Sequence, residues 1–333
     1  MEDNMNSDIR VFVGRSNPEL FDKFFDYHEV DKLVGFPAPP TRGQGVISHF
    51  SDGETFFSIK ESVRGMDCYI LQSTCAPHND NIMEMCIMAD ALKRAAADSV
   101  TAVIPYYGYA RQDRQVAPRT PITAKLVSGL IIKSGVDRVA ILDVHSTQIQ
   151  GFFETPLFDN LQSAPFLCYD LSHNYKDWQP HNTVVVSPDV GGVKRARNFA
   201  KKLGGCGLAI IDKRRDKPNE SEVMHIIGDI ADKNCILVDD IIDTTGTLCQ
   251  AGDALMKAGA NQVIGCATHA VLSGPAIQRI NESLLSEVIV SDSIPLSAEA
   301  KASAKIRVVS CAMMLRVAIE RIHRCGSVSD LFE

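Results

Sequence analysis

The stretch Val238-Asp239-Asp240-Ile241-Ile242-Asp243-Thr244-Thr245-Gly246-Thr247 sets three carboxylates and three hydroxyls around a glycine, straight after the apolar run Cys235-Ile236-Leu237-Val238. A strand ending at Asp239 and a helix beginning near Thr247 leave a turn between them. Backbone N–H groups at a helix start, together with the Thr244, Thr245 and Thr247 hydroxyls, suit a monophosphate. Gly246 lets the backbone come close to it. Asp239, Asp240 and Asp243 cannot bind phosphate directly, so they call for sugar hydroxyls or a metal's water shell. Phosphate at one end and vicinal hydroxyls at the other describe a ribose 5-phosphate. The competing description is an acidic strand end followed by a threonine N-cap.

Four other loops carry groups of the same kind. In Ser187-Pro188-Asp189-Val190-Gly191-Gly192, the N–H groups of Gly191 and Gly192 suit a diphosphate, though a plain strand-to-helix turn has the same composition. Lys194 and Arg195 follow in the first helical turn, either adding positive charge or merely solvated. His145 lies in Asp143-Val144-His145-Ser146, just past a strand pattern. Arg111-Gln112-Asp113-Arg114 offers guanidinium forks that match phosphate oxygens. Asp212 to Asn219 (DKRRDKPN) concentrates Lys213, Arg214, Arg215 and Lys217. It reads as a solvated surface loop or as a cationic flap that closes over a triphosphate and excludes water.

These loops need elements to hold them. Strand patterns at Val100–Ile104, Arg138–Leu142, Thr183–Ser187, Gly207–Ile211, Cys235–Val238, Gln262–Ala267 and Glu287–Val290 alternate with helical patterns. The helices are expected at Asn81–Ala97, Ile122–Lys133, Val193–Leu203 and Thr247–Ala258. Met83, Cys86, Ile87 and Ala91 are expected to form the core stripe of the first. Such alternation means βαβ units, mainly parallel sheets, and ligands at the carboxyl ends of the strands.

The 333 residues suggest two domains, and 45% hydrophobic with 23% charged residues is a globular composition. A net charge of -7 argues against a general nucleic-acid binder. The ten cysteines are scattered without a CxxC pair and read as reduced, mostly buried thiols. Met1 to Asp8 is polar and acidic with no signal-peptide pattern, and no apolar run is long enough to span a bilayer. A cytoplasmic protein with no membrane association is the expectation.

Taken in order, Phe50-Ser51-Asp52-Gly53-Glu54, Tyr106 to Asp113 (YYGYARQD), Asp143 to Phe153 (DVHSTQIQGFF), SPDVGG, DKRRDKPN and the Val238–Thr247 stretch resemble ribose-phosphate diphosphokinases (PRPP synthetases) of the phosphate-activated class. The resemblance runs from about Phe12 to Phe332. It implies an α/β fold of two similar type I phosphoribosyltransferase-like domains, residues 1–162 and 163–333, with the final helix and tail packing back on the first. It implies transfer of the diphosphoryl group of ATP to the C1 hydroxyl of ribose 5-phosphate, with Mg2+ as cofactor. Carried onto this chain, Phe50, Asp52, Glu54, Arg111 and Gln112 become ATP contacts. His145 and Asp189 become metal ligands, Gly191 and Gly192 the diphosphate loop, and Lys213 and Arg215 the catalytic pair. Asp239, Asp240, Asp243, Thr244, Thr245, Gly246 and Thr247 bind ribose 5-phosphate.

Ser62, Arg64, Arg119, Ser327, Ser329 and Phe332 match an inter-subunit anion site, implying activation by inorganic phosphate, inhibition by ADP, and a homo-oligomer, a hexamer built from dimers. The chain departs from the family pattern in the proline-rich Phe36 to Gly45, at Val116, and at Asp330 in the tail. A phosphoribosyltransferase needs neither the second domain nor the flap. A non-catalytic regulatory relative should lack catalytic groups that are present here.

Overall fold

The computed structural model describes residues 9–26, 40–154, 157–214 and 223–332, with side chains at all of these except 213, 214 and 223. They form two compact units. One contains the chain through Gln162, Ser293–Pro295 and the stretch from Cys311 onward; the other contains Ser163–Asp292 and Leu296–Ser310.

The first unit is built on a six-stranded sheet in the order β2-β1-β5-β6-β7-β8, every neighbouring pair parallel. The strands are β1 (Ile9–Val13), β2 (Thr41–Arg42), β5 (Asp67–Leu71), β6 (Ser99–Ile104), β7 (Arg138–Leu142) and β8 (Phe158–Leu161). β3 (Gly45–His49) and β4 (Thr55–Ile59) form a separate antiparallel hairpin. Helices α1 (Pro18–Asp26), α2 (His78–Arg94) and α3 (Thr123–Lys133) belong to this unit, as does a C-terminal helix, Ala312–His323. β6 shows why the sheet is internal: Val100, Ala102, Val103 and Ile104 are fully buried, as parallel strands covered on both faces should be.

The core stripe of α2 differs from the expected one. Ile82, Met85, Met88, Ala89 and Leu92 are buried, whereas Met83 is exposed and Cys86, Ile87 and Ala91 are half-buried. The helix is apolar on most of its circumference, so sequence spacing leaves the phase of its inner face undecided.

The second unit carries a seven-stranded sheet in the order β11-β10-β9-β12-β13-β14-β15. Its strands are β9 (Thr183–Ser187), β10 (Gly207–Arg214), β11 (Val223–Ile227), β12 (Asn234–Ile242), β13 (Gln262–Ala270), β14 (Glu287–Ser291) and β15 (Ile306–Val309). All pairs are parallel except β10 with β11. Helices α4 (Ala164–Asn174), α5 (Val193–Lys202), α6 (Gly246–Lys257), α7 (Ala276–Glu282) and α8 (Ala298–Ala302) complete it. The expected α/β class with parallel sheets and flanking helices is what the chain adopts.

Two strands run further than their sequence patterns. β12 continues past Asp239 to Ile242 because β13 stays in register with it as far as Ala270. β10 continues to Arg214 because β11 pairs back on it, Lys213 opposite Met224 and Arg214 opposite Val223. The first residues of DKRRDKPN are therefore strand, and Arg215, Lys217 and Pro218 lie outside the described residues. All ten cysteines are free and seven are buried, matching the expectation of mostly buried thiols. Among the described residues, no helix is long and apolar enough to cross a membrane.

Candidate active site

The acid pair and the threonine turn occupy the carboxyl end of β12, the position where parallel sheets bind ligands. Asp239 and Asp240 stand inside the strand rather than after it. Consecutive strand residues ordinarily point to opposite faces. Here one side chain engages both: Arg195 Nη1 lies 3.1 Å from Asp239 Oδ1, and Nη2 lies 3.2 Å from Asp240 Oδ1. The Asp240 N–H also donates to Asp239 Oδ1 at 2.9 Å. Burial pushes the Asp239 carboxyl up to about 7, the hydrogen bond and charge of Asp240 push the same way, and Arg195 opposes them. In the sequence Arg195 is ambiguous between added charge and solvation, its one signal being a cation within a helical turn of a glycine pair.

Past the strand, Asp243 accepts a short hydrogen bond from the Ser273 hydroxyl. Thr245 occupies the N-cap of α6 with a left-handed backbone, φ 61°. That conformation is unusual for a β-branched residue and marks a turn held by its surroundings. The holding contacts come from α7: the buried Thr245 hydroxyl lies 3.1 Å from the Ala276 carbonyl, and Arg279 Nη1 donates to the Thr244 carbonyl at 2.8 Å. The Thr245 hydroxyl is thus turned inward, while Thr244 and Thr247 are exposed at the helix start beside Gly246.

The glycine loop follows β9. Asp189 Oδ1 accepts the Gly192 N–H at 2.8 Å, and the Ser187 hydroxyl donates to the Asp189 carbonyl at 2.6 Å. A Cβ at Gly192 would lie 2.7 Å from Ser187 Oγ. Gly192→Ala should therefore displace the Ser187 hydroxyl from its hydrogen bond and lower stability by about 1 kcal/mol. Urea unfolding reads this as a fall in midpoint at unchanged slope.

In the first unit, His145 is exposed beyond the end of β7, after Asp143 with φ 40°. The Val144 N–H donates to Asn160 Oδ1 at 3.0 Å, which ties the loop to β8. Arg111 and Gln112 are exposed, and Gln112 Oε1 accepts from the Thr123 hydroxyl at the start of α3 at 2.6 Å. Phe50, Asp52 and Glu54 form the tip of the β3–β4 hairpin. The Phe50 N–H donates to the Glu54 carbonyl at 2.9 Å, and Gly53 takes φ 96°. Phe50 is 55% exposed, its ring edge-on to Phe56 at 5.4 Å, so an apolar face is available for stacking.

Arg15 carries no motif that marks it in the sequence. It donates Nε to the buried Glu84 carboxylate at 2.7 Å, and its Nη1 lies 2.9 Å from His49 Nε2 beside the hairpin tip.

Among the described residues, no three His, Cys, Asp or Glu side chains converge as a metal cage. His145 and Asp189 are exposed single donors at strand ends. Of the six anion-site candidates, Ser329 and Phe332 share a hollow of about 300 Å³ with Val328, Phe158, Asp159, Asn160 and Gln162. Ser62, Arg64, Arg119 and Ser327 do not line that hollow. They are exposed, and the Ser327 hydroxyl donates to Asp330 at 2.6 Å.

Residues 9–135 match the family model described as the N-terminal domain of ribose phosphate pyrophosphokinase, and residues 214–333 match the phosphoribosyl synthetase-associated domain. The chain is 49% identical over 326 residues to a ribose-phosphate pyrophosphokinase of Haemophilus influenzae, covering 98% of this chain and 99% of that one. It is 51% identical over 325 residues to a ribose-phosphate pyrophosphokinase of Clostridium tetani, with 98% and 97% covered. Among solved structures it is similar to the phosphoribosylpyrophosphate synthetase from Mycobacterium smegmatis, at a TM-score of 0.84 and 39% identity, covering 96% of this chain and 100% of that one.

Proposed function

The chain belongs to the ribose-phosphate pyrophosphokinase family, and we propose from that premise how its residues make PRPP. The enzyme transfers the β,γ-diphosphoryl group of ATP to the C1 hydroxyl of ribose 5-phosphate and releases AMP. The bond from the α,β-bridging oxygen to the β-phosphorus breaks, the bond from O1 forms, and the proton of the C1 hydroxyl is lost. One observation carries the assignment of the sugar-phosphate site. An acid pair suited to vicinal hydroxyls and a helix N-terminus suited to a phosphate stand either side of a single short turn, Asp243 to Thr245.

In this reading the ribose 5-phosphate sits with its phosphate against the first N–H groups of α6 and the exposed Thr244 and Thr247. Its sugar hydroxyls donate to Asp239 and Asp240. Asp243 and Thr245 shape the turn, through Ser273 and Ala276 respectively. Phe50 stacks on adenine, with Asp52, Glu54, Arg111 and Gln112 among the remaining ATP contacts. Gly191 and Gly192 form the diphosphate loop, Gly191 offering its N–H to the diphosphate while the Gly192 N–H, donated to Asp189 Oδ1, sets the turn. His145 and Asp189 are the residues that would hold Mg2+, which when bound neutralises phosphate charge and polarises the β-phosphorus. Histidine is an unusual partner for this ion, so removing His145 should weaken binding of the metal without abolishing it. Lys213 and Arg215 stabilise the charge on the group in transit.

The partners in this reading are ATP and ribose 5-phosphate, with inorganic phosphate as activator and ADP as inhibitor at a site that uses Ser62, Arg64, Arg119, Ser327, Ser329 and Phe332. The assembly is a homo-oligomer, a hexamer built from dimers, working in the cytoplasm. The test is AMP release by purified protein, with and without inorganic phosphate. The expected result is AMP only when ATP, Mg2+ and ribose 5-phosphate are present together, and more of it with phosphate. No AMP under any of these conditions would give preference to a non-catalytic, synthetase-like subunit.

A further inference from the structure

We propose that Arg195 is the positioning residue of the sugar site, gathering Asp239 and Asp240 to one side of β12 so that two carboxylates can accept two neighbouring hydroxyls. The inference rests on the ribose 5-phosphate reading of this loop. Its basis is a geometric conflict. Adjacent residues of a strand diverge, yet vicinal hydroxyls need acceptors that converge. The Arg195 guanidinium resolves it with one nitrogen on each carboxylate, at 3.1 and 3.2 Å. Arginine is the side chain for this task because its donors form a rigid planar fork. A lysine ammonium, a single point of charge, cannot span both partners in the same way.

The pair also poses a charge problem that Arg195 relieves. Asp240 is nearly buried, and Asp239 lies beside it on the same strand. Two such carboxylates without a cation will take up a proton, and a protonated acid is a poor acceptor for sugar hydroxyls. The charges acting on Asp239 are Asp240 from β12 and Arg195 from α5. Other titratable groups nearby in the fold are Asp243 at the end of β12, Asp189 and Lys194 on the loop and first turn leading from β9 into α5, and His269 on β13, in register with Ile241. Burial already pushes Asp239 upward and Arg195 opposes it, so loss of Arg195 moves the pair further toward the protonated form.

The experiment measures ribose 5-phosphate affinity by calorimetry, with Mg2+ and a non-hydrolysable ATP analogue present, from pH 6 to 9. Wild type, Arg195→Gln and Arg195→Lys are compared. Arg195→Gln should bind ribose 5-phosphate about tenfold more weakly at pH 7, with the midpoint of its pH dependence about one unit higher. Arg195→Lys should return the midpoint to near the wild-type value while recovering only part of the affinity. Affinity for the ATP analogue alone should change much less. The proposal is overturned if both variants bind the sugar phosphate as wild type does, or if Arg195→Gln weakens sugar phosphate and nucleotide equally with no change in pH dependence. A wild-type protein that binds no ribose 5-phosphate overturns the sugar-site reading itself, a result separate from either of those.

Discussion

Lys213→Ala is expected to lower turnover by about 10²- to 10³-fold, the usual cost of removing one preorganised donor to transition-state charge, while the KM for ribose 5-phosphate stays within about threefold. Attack at the β-phosphorus leaves negative charge on the oxygens of the moving group and on the departing AMP. A cation that meets this charge contributes mainly in the transition state, so its loss falls on kcat. The position of Lys213 makes the test clean. Its backbone lies in the β10–β11 ladder opposite Met224, and alanine keeps both the N–H and the carbonyl that the ladder uses. Steady-state rates with each substrate varied separate the possibilities. A large rise in the KM for ribose 5-phosphate with kcat little changed would place Lys213 in sugar-phosphate binding and remove it from catalysis.

What the amino-acid sequence discloses about this enzyme depends on how local the determining physics is. The strands Thr183–Ser187 and Arg138–Leu142 are legible to the residue, because a short buried parallel strand is a β-branched run with turn residues at both ends. The carboxyl end of β12 is not, because its length is decided by β13, a partner some 28 residues later in the chain. The inner face of α2 is legible only in part for a related reason: Cys86, Ile87 and Ala91 pack against the core, but Met83 is exposed. Methionine, alanine and isoleucine surround the helix, and the packing partner selects among faces that composition leaves equivalent.

The same division holds in the site. Glycine pairs, threonine turns and acid pairs announce themselves, since each residue type answers a local need of backbone or charge. Arg195 and Arg279 do not, since their roles come from loops they approach only in the fold. The inward turn of the Thr245 hydroxyl was equally out of reach, because its partner is a carbonyl on α7.

Asp239→Asn is expected to lower affinity for ribose 5-phosphate about a hundredfold and, above pH 7, to make the ligand-free protein more stable than wild type. The affinity loss follows from replacing a charged acceptor with an amide that can also present N–H groups to a sugar hydroxyl; hydrogen bonds to charged groups are worth about 1.5–3 kcal/mol. The stability gain follows from proton linkage. Asp239 sits at about 7 in the folded protein, chiefly through burial, with Asp240 adding to the rise. In the unfolded chain it returns to the ordinary carboxylate value of about 3.9.

Between those values the native state holds a proton that the unfolded state has released, so wild-type stability declines as pH rises from about 4 through about 7 and levels off above. Asparagine cannot ionise and escapes that decline. The two proteins should therefore melt alike near pH 4 and diverge toward pH 8, with the variant higher. Arg195 also pairs with Asp240, at 3.2 Å, so the substitution does not leave its charge unpaired. Thermal unfolding across this range, alongside calorimetry with ribose 5-phosphate, checks both halves. A variant that binds the sugar phosphate as tightly as wild type removes Asp239 from the site. One that melts lower than wild type at pH 8 shows that the Asp239 carboxylate stabilises the fold, contrary to the charge conflict in which burial and Asp240 place it.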